Sequence, residues 1–216
     1  MLSPGSGINT HANPVTRYKR IVDQAKQLGV QYIIDFGLHG DDSAEAYVEL
    51  MREVAPYAAE KDMHISMKLH DVPKDISAPV LGPLTAIHDA INHPNFGLCM
   101  DPGNVIYYTA AASKAKGGEG LGSYRLPTEG LAAQAHRFNT FIIKDAIVEA
   151  GGMPDVMVQP GEGLVDFAVV LATLRRAGFS GPICLEKVPG YSLAVVNANF
   201  RKARKFMHKL ESGAVL

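Results

Sequence analysis

Cysteine is scarce in this chain of 216 residues, which has two, Cys99 and Cys184. Each lies inside an apolar, strand-like run, as reduced core thiols do, and this argues against a disulfide framework. No run of about 18 apolar residues occurs, so no membrane-spanning helix is expected. The opening Met-Leu-Ser-Pro-Gly-Ser-Gly has neither a basic n-region nor an apolar h-region, which points to a soluble cytoplasmic protein. An excess of one charge is missing as well, with 21 Lys and Arg against 22 Asp and Glu, a formal net charge of −1. Composition therefore offers no electrostatic case for a nucleic-acid or membrane partner. The basic cluster Arg201, Lys202, Arg204, Lys205 and Lys209 has the spacing of a solvated face on a last helix. The length suits one good core and is short for two, so a single domain over residues 1–216 is expected.

The most patterned stretch is His64-Ile65-Ser66-Met67-Lys68-Leu69-His70-Asp71, in which polar and apolar residues alternate strictly. A period of two puts successive side chains on opposite faces of a strand, so one face carries two imidazoles, a hydroxyl and an ammonium. Helical patterns stand on both sides, and strands alternating with helices build parallel sheets whose faces are covered. A polar row on a covered strand is then most simply the lumen side of a barrel, rising towards the C-terminal rim where barrel active sites sit.

The rest of the chain repeats this alternation. Asn13-Pro14 caps a helix that Gly29 stops, and residues 31–37 form a short buried strand. Asp42 and Glu45 resemble a capping box for a second helix, in which Pro56 marks a kink. A third helix runs through Leu84, Ile87 and Ile91, and residues 96–101 form the third strand. Residues 102–108 lead into 110–127, read as a long loop over the rim, a length that is uncommon unless functional. A helix near residues 129–138 precedes a fourth strand at 140–145. A hairpin-like tract at 148–163, a helix at 165–177, a fifth strand at 182–188 and a final helix at 193–210 complete the series. The fold class expected is α/β, with five parallel strands.

Three stretches carry a resemblance. Gly161-Glu162-Gly163-Leu164-Val165-Asp166-Phe167, followed by Leu174-Arg175-Arg176-Ala177-Gly178-Phe179-Ser180-Gly181-Pro182 and Leu185-Glu186, is similar to the last helix and strand of the sugar phosphate isomerase/epimerase superfamily, the xylose isomerase-like TIM barrels. Phe96-Gly97-Leu98-Cys99-Met100-Asp101 resembles that family's strand ending in aspartate, and Ile143-Lys144-Asp145 its strand ending in Lys-Asp. The resemblance runs from about Val15 to Leu210. It implies an incomplete TIM barrel, about five βα units of a (β/α)8, N-terminally short of the family and self-associating to cover its open sheet edges.

The resemblance also implies a site. Family members hold a divalent metal with Glu, Asp, His and Glu at four strand ends. Here the aspartate maps to Asp101 and the last glutamate to Glu186, whereas Lys68 and Ile142 stand where the other two belong. Mn, Mg or Zn held by Asp101, Glu186 and His70 is one reading. The other has Lys68 replacing the cation between the two carboxylates. For a proton transfer next to a carbonyl, Glu186 and Asp101 are the expected bases, with Lys68, His70 and Lys144 stabilising the oxyanion. Asn104, His39 and Asp145 would bind substrate. Lys144-Asp145 also reads as a local ion pair, and His64 as a core histidine. Pro160-Gly161-Glu162-Gly163 is either a tight turn or a phosphate cradle. The function implied is a sugar or polyol isomerase/epimerase acting on a small-molecule carbohydrate. The alternative is a non-catalytic carbohydrate-binding or structural remnant. DNA repair of the AP-endonuclease kind would need a zinc-ligand cluster and a basic groove, which the sequence lacks.

Overall fold

The computed structural model describes residues 12–38, 43–68, 82–115, 128–149 and 151–213. In chain order these form α1 (Pro14–Gln27), β1 (Tyr32–Asp35), α2 (Ala44–Ala59), β2 (His64–Lys68), α3 (Gly82–Ile91), β3 (Phe96–Met100) and α4 (Pro102–Ala115). There follow α5 (Thr128–Gln134), β4 (Phe138–Ile143), β5 (Ile147–Val148), β6 (Pro154–Asp155), α6 (Phe167–Arg176), β7 (Ile183–Leu185) and α7 (Leu193–Glu211). Five parallel strands make one sheet in the order β1-β2-β3-β4-β7, and β5 and β6 form a small antiparallel pair. Sequential parallel neighbours joined through helices are the pattern of a TIM barrel, here with five strands. No helix among the described residues is long and apolar enough to cross a membrane.

The chain divides into two compact units, one of Met1–Pro73, Leu81–Met100 and Arg137–Thr140, the other of Lys74–Val80, Asp101–His136 and Phe141–Leu216. In the first, β2 pairs with β1 through Tyr32↔His64 to Asp35↔Met67 and with β3 through Ile65↔Phe96 to Lys68↔Cys99. α1 starts where the Asn13 side chain accepts the Thr16 N–H at 3.0 Å and Pro14 fills a position whose N–H would go unused. It buries Tyr18, Val22 and Ala25, while α2 buries Tyr47, Leu50, Met51, Val54 and Ala58. The polar face of β2 is covered, as its pattern predicts, because Ser66 Oγ donates to Asn139 Oδ1 at 2.5 Å. Asn139 Nδ2 in turn donates to the Ile65 carbonyl at 3.1 Å. His64 stacks on Tyr32 at 4.9 Å, and burial lowers its pKa.

In the second unit, β4 pairs with β7 from Phe141↔Ile183 to Ile143↔Leu185. Asp166 caps α6 by accepting the Val169 N–H at 3.1 Å, and Phe167 of that helix meets Phe206 of α7 edge to face at 5.6 Å. The basic residues Arg201, Lys202, Arg204, Lys205 and Lys209 are exposed, the solvated face their spacing implied.

Two boundaries differ from those the sequence suggests. The α2 cap is Ser43, whose Oγ accepts the Ala46 N–H at 3.2 Å and donates to Glu45 at 2.8 Å, while Asp42 lies outside the described residues. Residues 102–115, read as the start of a loop, are helix α4. The Asp101 side chain caps it, Pro102 opens it, and the alanines at 110–112 favour it. The remainder of the expected rim loop, 116–127, lies outside the described residues.

Candidate active site at the strand ends

Every strand of the five-stranded sheet runs out on a charged residue. Asp35 and Lys68 are the last residues of β1 and β2, and Asp101, Lys144 and Glu186 directly follow β3, β4 and β7. The carboxyl ends of parallel strands are where such sheets gather their chemistry.

Three of these residues meet within the second unit. Lys144 Nζ donates to Asp101 Oδ2 and to Glu186 Oε1, both at 3.2 Å. The Asp101 side chain is fully buried and that of Lys144 is 6% exposed, whereas Glu186 is 34% exposed, so solvent reaches the trio at Glu186. The local sequence builds this arrangement. Asp101 leaves β3 and caps α4, its Oδ1 accepting the Asn104 N–H at 2.9 Å while Oδ2 faces the lysine. Gly103 lets the first turn of α4 rest on the Lys144 backbone, since a Cβ there would lie 2.5 Å from the Lys144 carbonyl oxygen. Asn104 is buried beside the trio in sequence and supplies a backbone N–H to it.

Asp145 plays a different part from the one its sequence suggested. Its Oδ1 accepts the N–H groups of Ala146 at 2.9 Å and Val165 at 3.0 Å, and its Oδ2 those of Gly161 and Gly163, both at 2.9 Å. The two oxygens have about four lone-pair sites between them, and all are used. Burial pushes this carboxyl up in pKa against the four N–H groups that pull it down. Asp145, expected to bind substrate, thus holds a loop, its four bonds going to backbone rather than to Lys144, and the Gly161 and Gly163 amides are spent on it, in keeping with the tight turn of the two readings.

Lys68, expected as the cation between the carboxylates, ends β2 in the first unit. It is 2% exposed, with Nζ 5.4 Å from the centre of the Phe36 ring. Lys144, expected beside it as a second cation, lies 3.2 Å from both Asp101 and Glu186. His39 and His70 lie outside the described residues. One buried carboxylate was not singled out from the sequence. Asp35 accepts the Tyr18 hydroxyl at 2.9 Å, the Tyr47 hydroxyl at 3.0 Å and the Gly37 N–H at 2.7 Å, and burial pushes its pKa up to about 6. Its position at the end of β1, matching that of Asp101 after β3, was the available signal.

A divalent cation wants several oxygen or nitrogen donors converging on one point. Among the described residues no three His, Cys, Asp or Glu side chains converge in this way. An ammonium already lies within 3.2 Å of both Asp101 and Glu186. Ile142, at a position where the resemblance expected a ligand, is apolar and buried. Of the donor set the resemblance implied, the described residues thus supply Asp101 and Glu186, and His70 lies outside them.

The fold has solved counterparts. The chain is similar to a xylose isomerase domain protein from Planctomyces limnophilus, with 23% identity, 95% of this chain and 68% of that one covered, and a TM-score of 0.68. It is also similar to a xylose isomerase-like TIM barrel protein from Mycobacterium smegmatis in complex with magnesium, with 18% identity, coverage of 100% and 74%, and a TM-score of 0.70. A third is the D-allulose 3-epimerase of Methylomonas sp. in complex with D-allulose, with 19% identity, coverage of 96% and 75%, and a TM-score of 0.60. No curated protein matches the chain in sequence. A family model described as xylose isomerase-like TIM barrel matches residues 5–210, nearly the whole chain, and the protein belongs to that family.

Proposed function

We propose that this protein is an isomerase or epimerase of a small keto sugar or polyol, moving a proton next to a carbonyl at the Asp101–Lys144–Glu186 site. The observation that carries this reading is the Lys144 ammonium held 3.2 Å from two carboxylates at strand ends. Membership of a barrel family, and likeness in fold to a D-allulose 3-epimerase, support it. Glu186, the most exposed of the three, takes the proton from the carbon beside the carbonyl. The electron pair moves onto the carbonyl oxygen, and Lys144 stabilises the enediolate with an N–H already aimed and partly desolvated. Asp101, anchored by the Asn104 N–H, keeps the lysine in place. Return of the proton from Glu186 to the former carbonyl carbon, as the adjacent hydroxyl gives its proton to the enediolate oxygen, gives an isomer; delivery of a solvent proton to the opposite face, with Glu186 releasing its own to solvent, gives an epimer.

The test is solvent exchange. With a panel of ketoses in deuterated water, followed by proton NMR, the enzyme incorporates deuterium at the carbon next to the carbonyl. Glu186→Gln slows this by roughly 10²-fold or more, the usual worth of a positioned general base. A folded protein that binds ketoses and exchanges no proton in any of them would overturn the reading and favour a non-catalytic carbohydrate-binding protein.

Self-association belongs to the same proposal. β1 and β7 stand at the two ends of the strand order, and strand edges invite pairing with another chain. Ile183, Cys184 and Leu185 of β7 are only half buried, and Tyr191, Leu193, Val195 and Phe200 are exposed around the start of α7.

A further inference from the structure

α7 is long and lightly enclosed, since of its 19 residues only Ala203 and Leu210 are buried. Its apolar residues follow a heptad. Val196, Ala203 and Leu210 recur every seven residues, as do Leu193, Phe200 and Met207, and the two sets alternate at spacings of three and four. The first set turns to the chain's own body, on the side where Phe206 packs on Phe167. The second is left open, with Leu193 77% exposed, Phe200 37% exposed and Met207 half-buried. A single apolar row repeating every seven residues has the width of contact that one further helix makes, and exposed apolar surface of this kind marks a contact with another molecule.

The charges on α7 favour one partner. From Leu193 to Phe200 no side chain is charged, whereas Arg201, Lys202, Arg204, Lys205 and Lys209 crowd the second half. Two copies of α7 lying parallel would set these basic residues side by side, where they repel. Lying antiparallel, each basic half rests on the uncharged half of its partner, and the aliphatic stems of Lys and Arg add to the apolar contact. Glu211, the one acidic residue of the helix, then comes near the start of the partner helix, where backbone N–H groups favour a negative charge. The surface is complementary to itself, as a two-fold contact requires. With a net charge of −1 per chain, pairing brings no large like charge together.

We propose that α7 pairs antiparallel with α7 of a second copy of this chain through Leu193, Phe200 and Met207, with Phe200 at the two-fold axis. Phe200 sits midway between the other two, so Leu193 then meets Met207 of the partner subunit. This pairing rests on the self-association proposed above and adds its surface and its direction.

The test is cross-linking in a Cys184→Ser background, which leaves the buried Cys99 as the remaining native thiol. At a rise of about 1.5 Å per residue, the two Leu193 positions of the antiparallel pair lie about 20 Å apart, whereas the two Phe200 positions face each other. A disulfide needs Cα atoms within about 7 Å. Under oxidation Phe200→Cys should therefore run at twice the chain mass, Leu193→Cys should not, and the double variant Leu193→Cys/Met207→Cys should link again. Linking of Leu193→Cys alone is the mark of a parallel pair, and would overturn the proposal while leaving self-association standing. Sedimentation gives an independent reading, in which the two-chain mass of the unaltered protein falls to one in Phe200→Glu. A dimer that Phe200→Cys does not link, or that Phe200→Glu leaves intact, would overturn α7 as the contact. A concentration-independent monomer would overturn both the pairing and self-association, and binding of that monomer to phosphatidylserine vesicles would assign the basic, apolar helix to an anionic membrane surface instead.

Discussion

Asp35 shows how far burial can move one residue. Two tyrosine hydroxyls and the Gly37 N–H donate to it, and each favours the charged form, yet burial outweighs them and sets the pKa at about 6. An unfolded aspartate titrates near 3.8. Between about pH 4 and pH 6 the folded chain therefore holds more protons on Asp35 than the unfolded chain does, so this group favours folding at low pH and loses that contribution as pH rises through about 6. The stability difference between the unaltered chain and Asp35→Asn, measured by urea unfolding, should fall from pH 4 to pH 6 and level off above. A difference that rises over that window would contradict this. Single residues were legible in the sequence where a strand ended on a carboxylate, as with Asp101 and Glu186. Lys144 was seen but not its partners, because its chain neighbour Asp145 suggests an ion pair. Adjacent residues leaving a strand point to opposite sides, and the two go to different partners.

At the scale of elements, the site depends on how α4 docks. Its first turn carries Asp101 as cap, Pro102, Gly103 against Lys144 and the Asn104 N–H, so one turn of helix seats two members of the trio. Gly103→Ala puts a methyl group 2.5 Å from the Lys144 carbonyl oxygen, and backbone must yield. A loss of roughly 1–3 kcal/mol in stability is expected from such overpacking, with a larger proportional loss of exchange activity, because the trio is displaced first. Thermal melts and deuterium-incorporation rates on the same preparation check this, and an alanine variant with unaltered activity would contradict the docking of α4 as a determinant of the site. This helix was also the element least legible in the sequence. From Pro102 to Ala110 nearly every residue is buried or half-buried, so α4 shows no amphipathic stripe to announce it. The strands and the amphipathic helices α1, α2, α6 and α7 were legible because one face of each is apolar.

Across the molecule, the order β1-β2-β3-β4-β7 follows directly from strands and helices taken in turn, and the sequence pattern carried it. It did not reveal the β5–β6 pair as more than a hairpin-like tract, since two-residue strands leave no periodicity. Exposed apolar residues at the start of α7, with Tyr191 fully open to solvent, predict concentration-dependent self-association. Sedimentation velocity should show a larger species that Leu193→Glu and Val195→Lys return to monomer, and a concentration-independent monomer would contradict it. In the proposed reaction Lys144, beside Asp101 and Glu186, faces the carbonyl oxygen of a sugar, and Glu186 the carbon next to it. The most direct measurement is a crystal structure of the protein soaked with a ketohexose. A sugar oxygen is expected within hydrogen-bond distance of Lys144 Nζ, with the Glu186 carboxylate over the neighbouring carbon. A sugar bound away from these residues, or a Lys144 side chain turned from both carboxylates, would contradict it.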